Sequence, residues 1–221
     1  MLLKNLAKSL RYCFRRFQYE RIPSPRAIFT TKALVIAPHP DDETFGVGGL
    51  IALKKEKEVP VKVIFFTSGE ASHISCCNIS KEEVAGVRRK QALEAIGCLG
   101  LNSGEILWHC PHPNDGWPDH EATSRIVMQA IKRSGSNARI IYYLVWSWYN
   151  ARSLGRKFFN WNKAWKLNIE PVFEKKISAI HCYLGGHKVP CGYPYCGKIP
   201  WAVINCAKRR TEIFIDGENP N

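Results

Sequence analysis

A chain of 221 residues is long enough for one α/β domain with a sizeable core and short for two. Hydrophobic residues at 45% and charged residues at 23% exclude disordered, collagen-like and coiled-coil classes. The 32 basic against 19 acidic residues, net +13, favour an anionic partner such as nucleic acid, a membrane surface or an acidic substrate, and are equally compatible with simple solubility. Nine irregularly spaced cysteines, without a secretory signal pattern at the start, fit a reducing cytoplasm. No apolar run approaches the roughly 20 residues needed to cross a bilayer, so any membrane contact is expected to be peripheral.

The first 26 residues read as a segment apart from a domain over 27–221. Leu3, Leu6, Leu10 and Phe17 share a helical stripe, with Lys4, Lys8, Arg11, Arg15 and Arg16 largely off it. Such a basic amphipathic helix, residues 1–20, can lie in an anionic membrane interface or dock on the domain's own surface. Ile22-Pro-Ser-Pro25 reads as a linker.

From Lys32 strand and helix patterns alternate. ALVIA (33–37) predicts a buried strand, GGLIALKKEKE (48–58) an amphipathic helix and VKVIFFT (61–67) a second strand. Ser80 and Glu83 form a capping box opening a helix that runs to about 100. EILWH (105–109) predicts a third strand, 120–135 a helix and ARIIYYLVW (138–146) a fourth strand. The alternation predicts a mostly parallel sheet covered by helices on both faces. Beyond about 150 the periodicity is too weak to assign a topology.

Ligands bind beyond the carboxyl ends of strands in such sheets, where His39, Asp41, Asp42 and Glu43 fall. His39 and Asp42 are three apart, so a turn or helix start brings both to one ion while Asp41 points elsewhere. An imidazole with a carboxylate suits zinc better than magnesium or calcium. A catalytic zinc site wants a third protein ligand, and His120, following the third predicted strand, is the best candidate. Helix capping by Asp41 or Asp42 is the competing account, but it does not call for all four residues together.

Ala37-Pro-His-Pro-Asp-Asp-Glu43 after a strand, Gly86-Val-Arg-Arg89 in a helix and Pro118-Asp-His120 opening another resemble the LmbE/PIG-L family of zinc-dependent de-N-acetylases, in order from about 32 to 135 and weakly through Lys176 to Tyr183. The resemblance implies a Rossmann-like fold and hydrolysis of the acetamide of an amino sugar, of N-acetylglucosamine type, in a larger conjugate. It implies His39, Asp42 and His120 as Zn2+ ligands, Asp41 as general base and Arg88 as a substrate contact. Glu43 is expected to support the loop by hydrogen bonding. Zinc in such a site polarises the acetyl oxygen and acidifies water, so that Asp41 can move a proton to the leaving amine.

The pattern departs from the family at Trp117, where a further histidine commonly stands, and at Gly185-Gly186, where Ser-Gln is usual. An indole N–H can donate to substrate but carries no titrating proton. His112 is the first candidate to replace the missing histidine and His109 the second; the alternatives are that zinc and Asp41 do more alone, or that the chain is a slow or inactive relative that binds glycan or nucleic acid. Basic and aromatic residues between Glu121 and Glu170 suggest an anionic glycoconjugate more than nucleic acid, with core packing as the competing role for the tryptophans. His181, Cys182, His187, Cys191, Cys196 and Cys206 lack the paired spacing of a zinc ribbon and are expected to bind no second metal. Gly46-Val-Gly48-Gly49 is expected to permit close helix packing.

Overall fold

A computed structural model describes residues 21–24, 30–73, 78–101, 109–135, 139–148, 159–184 and 199–217. The expected helix of residues 1–20 and most of the expected strand at 105–109 lie outside the described residues.

The apolar run at 33–37 forms β1 (Ala33–Ala37), buried along its whole length. Its side chains alternate between two cores: Ala33 and Val35 join one cluster, Leu34 and Ile36 the other. That is the pattern of a strand covered on both faces. It pairs in parallel with β2 (Val61–Phe65) on one side and β3 (His109–Pro111) on the other, and β3 pairs in parallel with β4 (Ile141–Tyr143). Two strands from beyond residue 150, β5 (Ala164–Asn168) and β6 (Thr211–Asp216), complete the sheet in the order β2-β1-β3-β4-β6-β5. Both β4–β6 and β5–β6 are antiparallel, so the sheet is mixed, and the parallel pairing expected from the alternating pattern extends only as far as β4. The chain order reverses between β1 and β3, and the crevice at such a switch point is where open α/β sheets bind ligands.

Helices lie on both faces. Helix α1 (Asp42–Glu56), α2 (Lys81–Cys98), α4 (Phe173–Leu184) and α5 (Trp201–Ala207) contribute to the first core, while Val127 and Ile131 of α3 (Pro118–Ser134) pack into the second. The expected capping box opens α2, with the Ser80 side chain accepting from Glu83 N and the Glu83 side chain from Ser80 N. Helix α1 starts at Asp42, ahead of the expected Gly48, with two acids in its first turn where the helix dipole favours them.

The glycines of α1 set how closely it packs. A Cβ on Gly46 would lie 2.4 Å from Tyr143 Cδ2, and one on Gly49 2.5 Å from Ile169 Cγ2. A buried ion pair also reaches this helix: Lys176 Nζ donates to Glu212 Oε1 (2.6 Å) and to Phe45 O (3.3 Å), and Glu212 accepts from Gly49 N (2.6 Å) and Leu50 N (2.9 Å). Phe45 O and Gly49 N are the two groups that a regular helical ladder would pair with each other. Among the described residues no helix is long and apolar enough to cross a membrane.

Candidate active site

The turn between β1 and α1 brings His39 and Asp42 together, and the first turn of α3 supplies His120. One potential ligand atom from each lies within 4.8 Å of the others. Asp42 Oδ2 is the focus: it accepts from His39 N (3.0 Å) and lies 3.2 Å from His39 Nδ1 and 3.3 Å from His120 Nε2. Burial works against charge on Asp42, but the two imidazoles outweigh it and hold its carboxyl well below the usual range. For His39 burial likewise opposes the proton, and Asp42 and Asp41 win, raising its pKa.

His120 is the most constrained of the three. Its Nδ1 lies 2.8 Å from Asp115 Oδ2, and Asp115 is itself fully buried and accepts from the backbone N–H groups of Val145, Trp146 and Ser147 at 2.9–3.1 Å. Burial opposes charge on His120, but Asp42 and Asp115 win and raise its pKa to about 10, so that both ring nitrogens hold protons, Nδ1–H towards Asp115 and Nε2–H towards Asp42 Oδ2 at 3.3 Å without good hydrogen-bond geometry. A buried imidazole nitrogen directed at a carboxylate, beside a second imidazole, is a place where a cation of the zinc type would replace that proton. Asp115 was not singled out from the sequence; the only local signal was an acid in the turn preceding His120.

Asp41 turns away from this cluster towards α2. Arg88 Nη2 donates to Asp41 Oδ2 (3.1 Å) and to Pro40 O. Burial raises the Asp41 pKa, with Arg88 pulling the other way. The Asp41 backbone lies at φ 133°, a region that L-residues seldom occupy and that persists only when neighbours enforce it. Glu43 supplies that enforcement: its Oε2 accepts from Asp41 N (3.0 Å), and its Oε1 accepts from Thr44 Oγ1 (2.6 Å) and Tyr183 OH (2.8 Å). Burial pushes the Glu43 pKa up to about 7. Gly69, at φ 66°, makes room for the arginine, since a Cβ there would lie 2.3 Å from Arg88 Nε.

His39, Asp41, Arg88, Trp117, Asp119 and Trp146 line one cavity of about 340 Å³, closed elsewhere by residues 67–72 and by Ile199. Trp117 stands at its mouth, 42% exposed, stacked on Trp146 with ring centroids 4.6 Å apart at 15°. Asp119, also absent from the sequence-based assignments, lies 3.0 Å from His39 Nε2. Among the described lining residues the charged pairs are Arg88 with Asp41 and His39 with Asp119, and Glu70 is a further carboxylate.

His112 does not join this group, contrary to the sequence expectation. It packs between Tyr142 and Phe159, at centroid distances of 5.2 and 4.4 Å, and faces a different cavity lined also by Arg21, Asn160 and Asp216. The cause is register: in β4, Tyr142 faces the second core while Tyr143 faces the first, and His112, just past β3, follows Tyr142. Burial lowers its pKa to about 4, so it is uncharged at neutral pH. His109 lies in β3, and its side chain is outside the described set. Of the aromatic residues from the basic segment, Trp165 stacks on Phe214 in the core, Trp146 lines the cavity, and 149–158 are outside the described residues. Residues 185–198, with three of the six late cysteines and histidines, are outside as well.

Residues 34–109 match the family described as PIG-L: GlcNAc-PI de-N-acetylase. A probable N-acetyl-alpha-D-glucosaminyl L-malate deacetylase 2 from Bacillus subtilis is 60% identical over 139 residues, covering 48% of this chain and 63% of that protein. A protein of the same name from Bacillus cereus is 26% identical over 188 residues, covering 70% of this chain and 81% of the relative. The chain thus spans less than two thirds of the length of the B. subtilis relative. Among solved structures, the N,N'-diacetylchitobiose deacetylase of Pyrococcus horikoshii aligns with a TM-score of 0.55 at 21% identity, over 72% of this chain and 71% of that one. A 4-carboxy-2-hydroxymuconate hydratase from Pseudomonas putida aligns with a TM-score of 0.51 at 21% identity, over 71% and 80%. Both share the fold.

Proposed function

We propose that this chain, which carries a PIG-L (LmbE) family domain, is a zinc-dependent amide hydrolase that removes the N-acetyl group of an N-acetylglucosamine-type sugar in a glycoconjugate and releases acetate. The observation that carries the reading is the convergence of His39, Asp42 and His120 beside the cavity that His39 and Asp41 line. His39, Asp42 and His120 would hold the ion, which when bound supplies Lewis-acid polarisation of the acetamide carbonyl.

Asp41 is the base: it takes the proton of the attacking water and passes it to the departing amine nitrogen. Arg88 holds that carboxylate in place and, as part of the cavity wall, is placed to contact substrate. Trp117 contacts the sugar and has no proton to exchange, so proton delivery falls to Asp41. Glu43, clamped by Tyr183, keeps the strained Asp41 backbone in its working conformation. The test is acetate release from N-acetylglucosaminyl malate and from methyl N-acetyl-β-D-glucosaminide, lost with a chelator and restored by zinc. Trp117, an indole without a titrating proton, favours one other reading, a sugar-binding relative without turnover. Saturable binding of both compounds with no acetate released by the zinc-loaded protein would establish that one instead.

A further inference from the structure

We propose that the stacked indoles of Trp117 and Trp146 are a platform for the apolar C–H face of the substrate's pyranose ring. The inference deepens the functional reading above and rests on it for the position of the acetamide. The two rings come from different elements, the residue before α3 and the turn Trp146–Trp148 after β4, yet lie within 15° of parallel. One buried group ties them to the chemistry: Asp115 accepts from Trp146 N (2.9 Å) and holds His120 Nδ1 (2.8 Å), and Trp117 precedes His120 in the same helix start. The platform is therefore fixed relative to the donor cluster and does not float on a loop.

The walls of the cavity differ in character. The indoles and Ile199 are apolar, while Thr67, Glu70, Ser72 and Arg88 are polar. A pyranose has the same division, a C–H face that packs on aromatic rings and a hydroxyl edge that hydrogen-bonds. A volume of about 340 Å³ suits one sugar unit. A ring as exposed as Trp117 can be replaced without opening a core cavity, which makes the idea testable.

The experiment pairs ligand-observed saturation-transfer NMR with acetate-release kinetics on the zinc-loaded chain, using methyl N-acetyl-β-D-glucosaminide, its 6-phosphate and the acyclic N-acetylethanolamine. The expected result is strongest saturation on the C–H protons of one ring face in the wild type, lost in Trp117→Ala and kept in Trp117→Phe. KM for the neutral glycoside should rise about 3- to 10-fold in Trp117→Ala, more than kcat falls, with no comparable change for the acyclic acetamide. Trp117→Ala should likewise remove the ring-face signal of the 6-phosphate, and Trp117→Ala and wild type behaving alike towards the neutral glycoside overturns the platform. Absence of acetate with the ring-face signal intact leaves the platform standing and removes the deacetylase reading instead.

Discussion

Replacing Asp115 by Asn tests whether the buried carboxylate prepares His120 for a cation. The wild-type carboxylate accepts from His120 Nδ1–H at 2.8 Å and from three backbone amides, with no solvent exposure. Asparagine keeps one acceptor oxygen for the amides but turns an NH2 donor towards Nδ1. That favours the tautomer with the proton on Nε2, the nitrogen that must present a lone pair to the metal. Losing such an outer partner typically costs 10- to 100-fold in metal affinity, about 1.4–2.7 kcal/mol. Weaker hydrogen bonds to the amides should separately lower fold stability by about 1–3 kcal/mol.

The two effects are separable. Zinc affinity is measured by competition with a chromogenic chelator on protein that circular dichroism shows to be folded, and stability by urea unfolding of the metal-free form. The reasoning requires weaker zinc binding in the folded variant. Zinc affinity within twofold of wild type would refute it and reduce Asp115 to an anchor for the backbone after β4.

Asp41→Asn should keep zinc binding while lowering kcat at least 100-fold in acetate release, and full activity would remove Asp41 as the base. Tyr183→Phe loses the 2.8 Å bond to Glu43 without touching a ligand; kcat should fall severalfold at unchanged zinc stoichiometry, and an unchanged kcat would mean that the clamp on Asp41 is dispensable. His112, neutral in the fold with a pKa near 4 against the ordinary 6.5, gains a proton first in the unfolded chain as pH falls. Its contribution to stability is therefore present above 6.5 and lost progressively down to about 4, by up to about 3 kcal/mol, so urea unfolding of His112→Gln should show a shallower loss between pH 7 and 4.5. Lys176→Met should destabilise by about 3–5 kcal/mol by stranding the Glu212 carboxylate, and adding Glu212→Gln should recover part of that; a double mutant no better than the single would refute the pairing argument.

Much of the site was legible because its signals are local. A strand of five apolar residues followed by His39-Pro-Asp41-Asp42-Glu43 places donors at a strand end without any knowledge of the rest of the chain, and His120 stands at an equally local helix start. What escaped depends on distant pairing. Asp115 acquires its role from amides about thirty residues later, and Tyr183 acts on Glu43 across 140 residues. Strands β5 and β6 escaped because AWKLN and TEIFID alternate weakly, and because Glu212, a charge in a strand, looks exposed until Lys176 and the α1 amides are known to meet it. His112 failed for the opposite reason: nearness in sequence to the histidine it was to replace says nothing about the face of the sheet on which it emerges.

The backbone at Asp41 joins these local and distant signals. Its φ of 133° costs of order 1–3 kcal/mol, and three separate elements meet that cost. Arg88 on α2 bonds the side chain, Glu43 on α1 bonds the amide, and Tyr183 on α4 holds Glu43. A regular turn would send residue 41 into the donor cluster beside Asp42. The strained one sends it to the cavity wall, where a base is useful and a fourth ligand would not be. The adjacent aspartates thus take different roles through backbone conformation, not residue type. Asp41→Gly and Asp41→Ala both leave Arg88 without its carboxylate and should both abolish turnover, but only glycine relieves the strain, so its metal-free form should be the more stable of the two by about 1–3 kcal/mol in urea unfolding. Equal stability of the two variants would show that the φ value stores little energy.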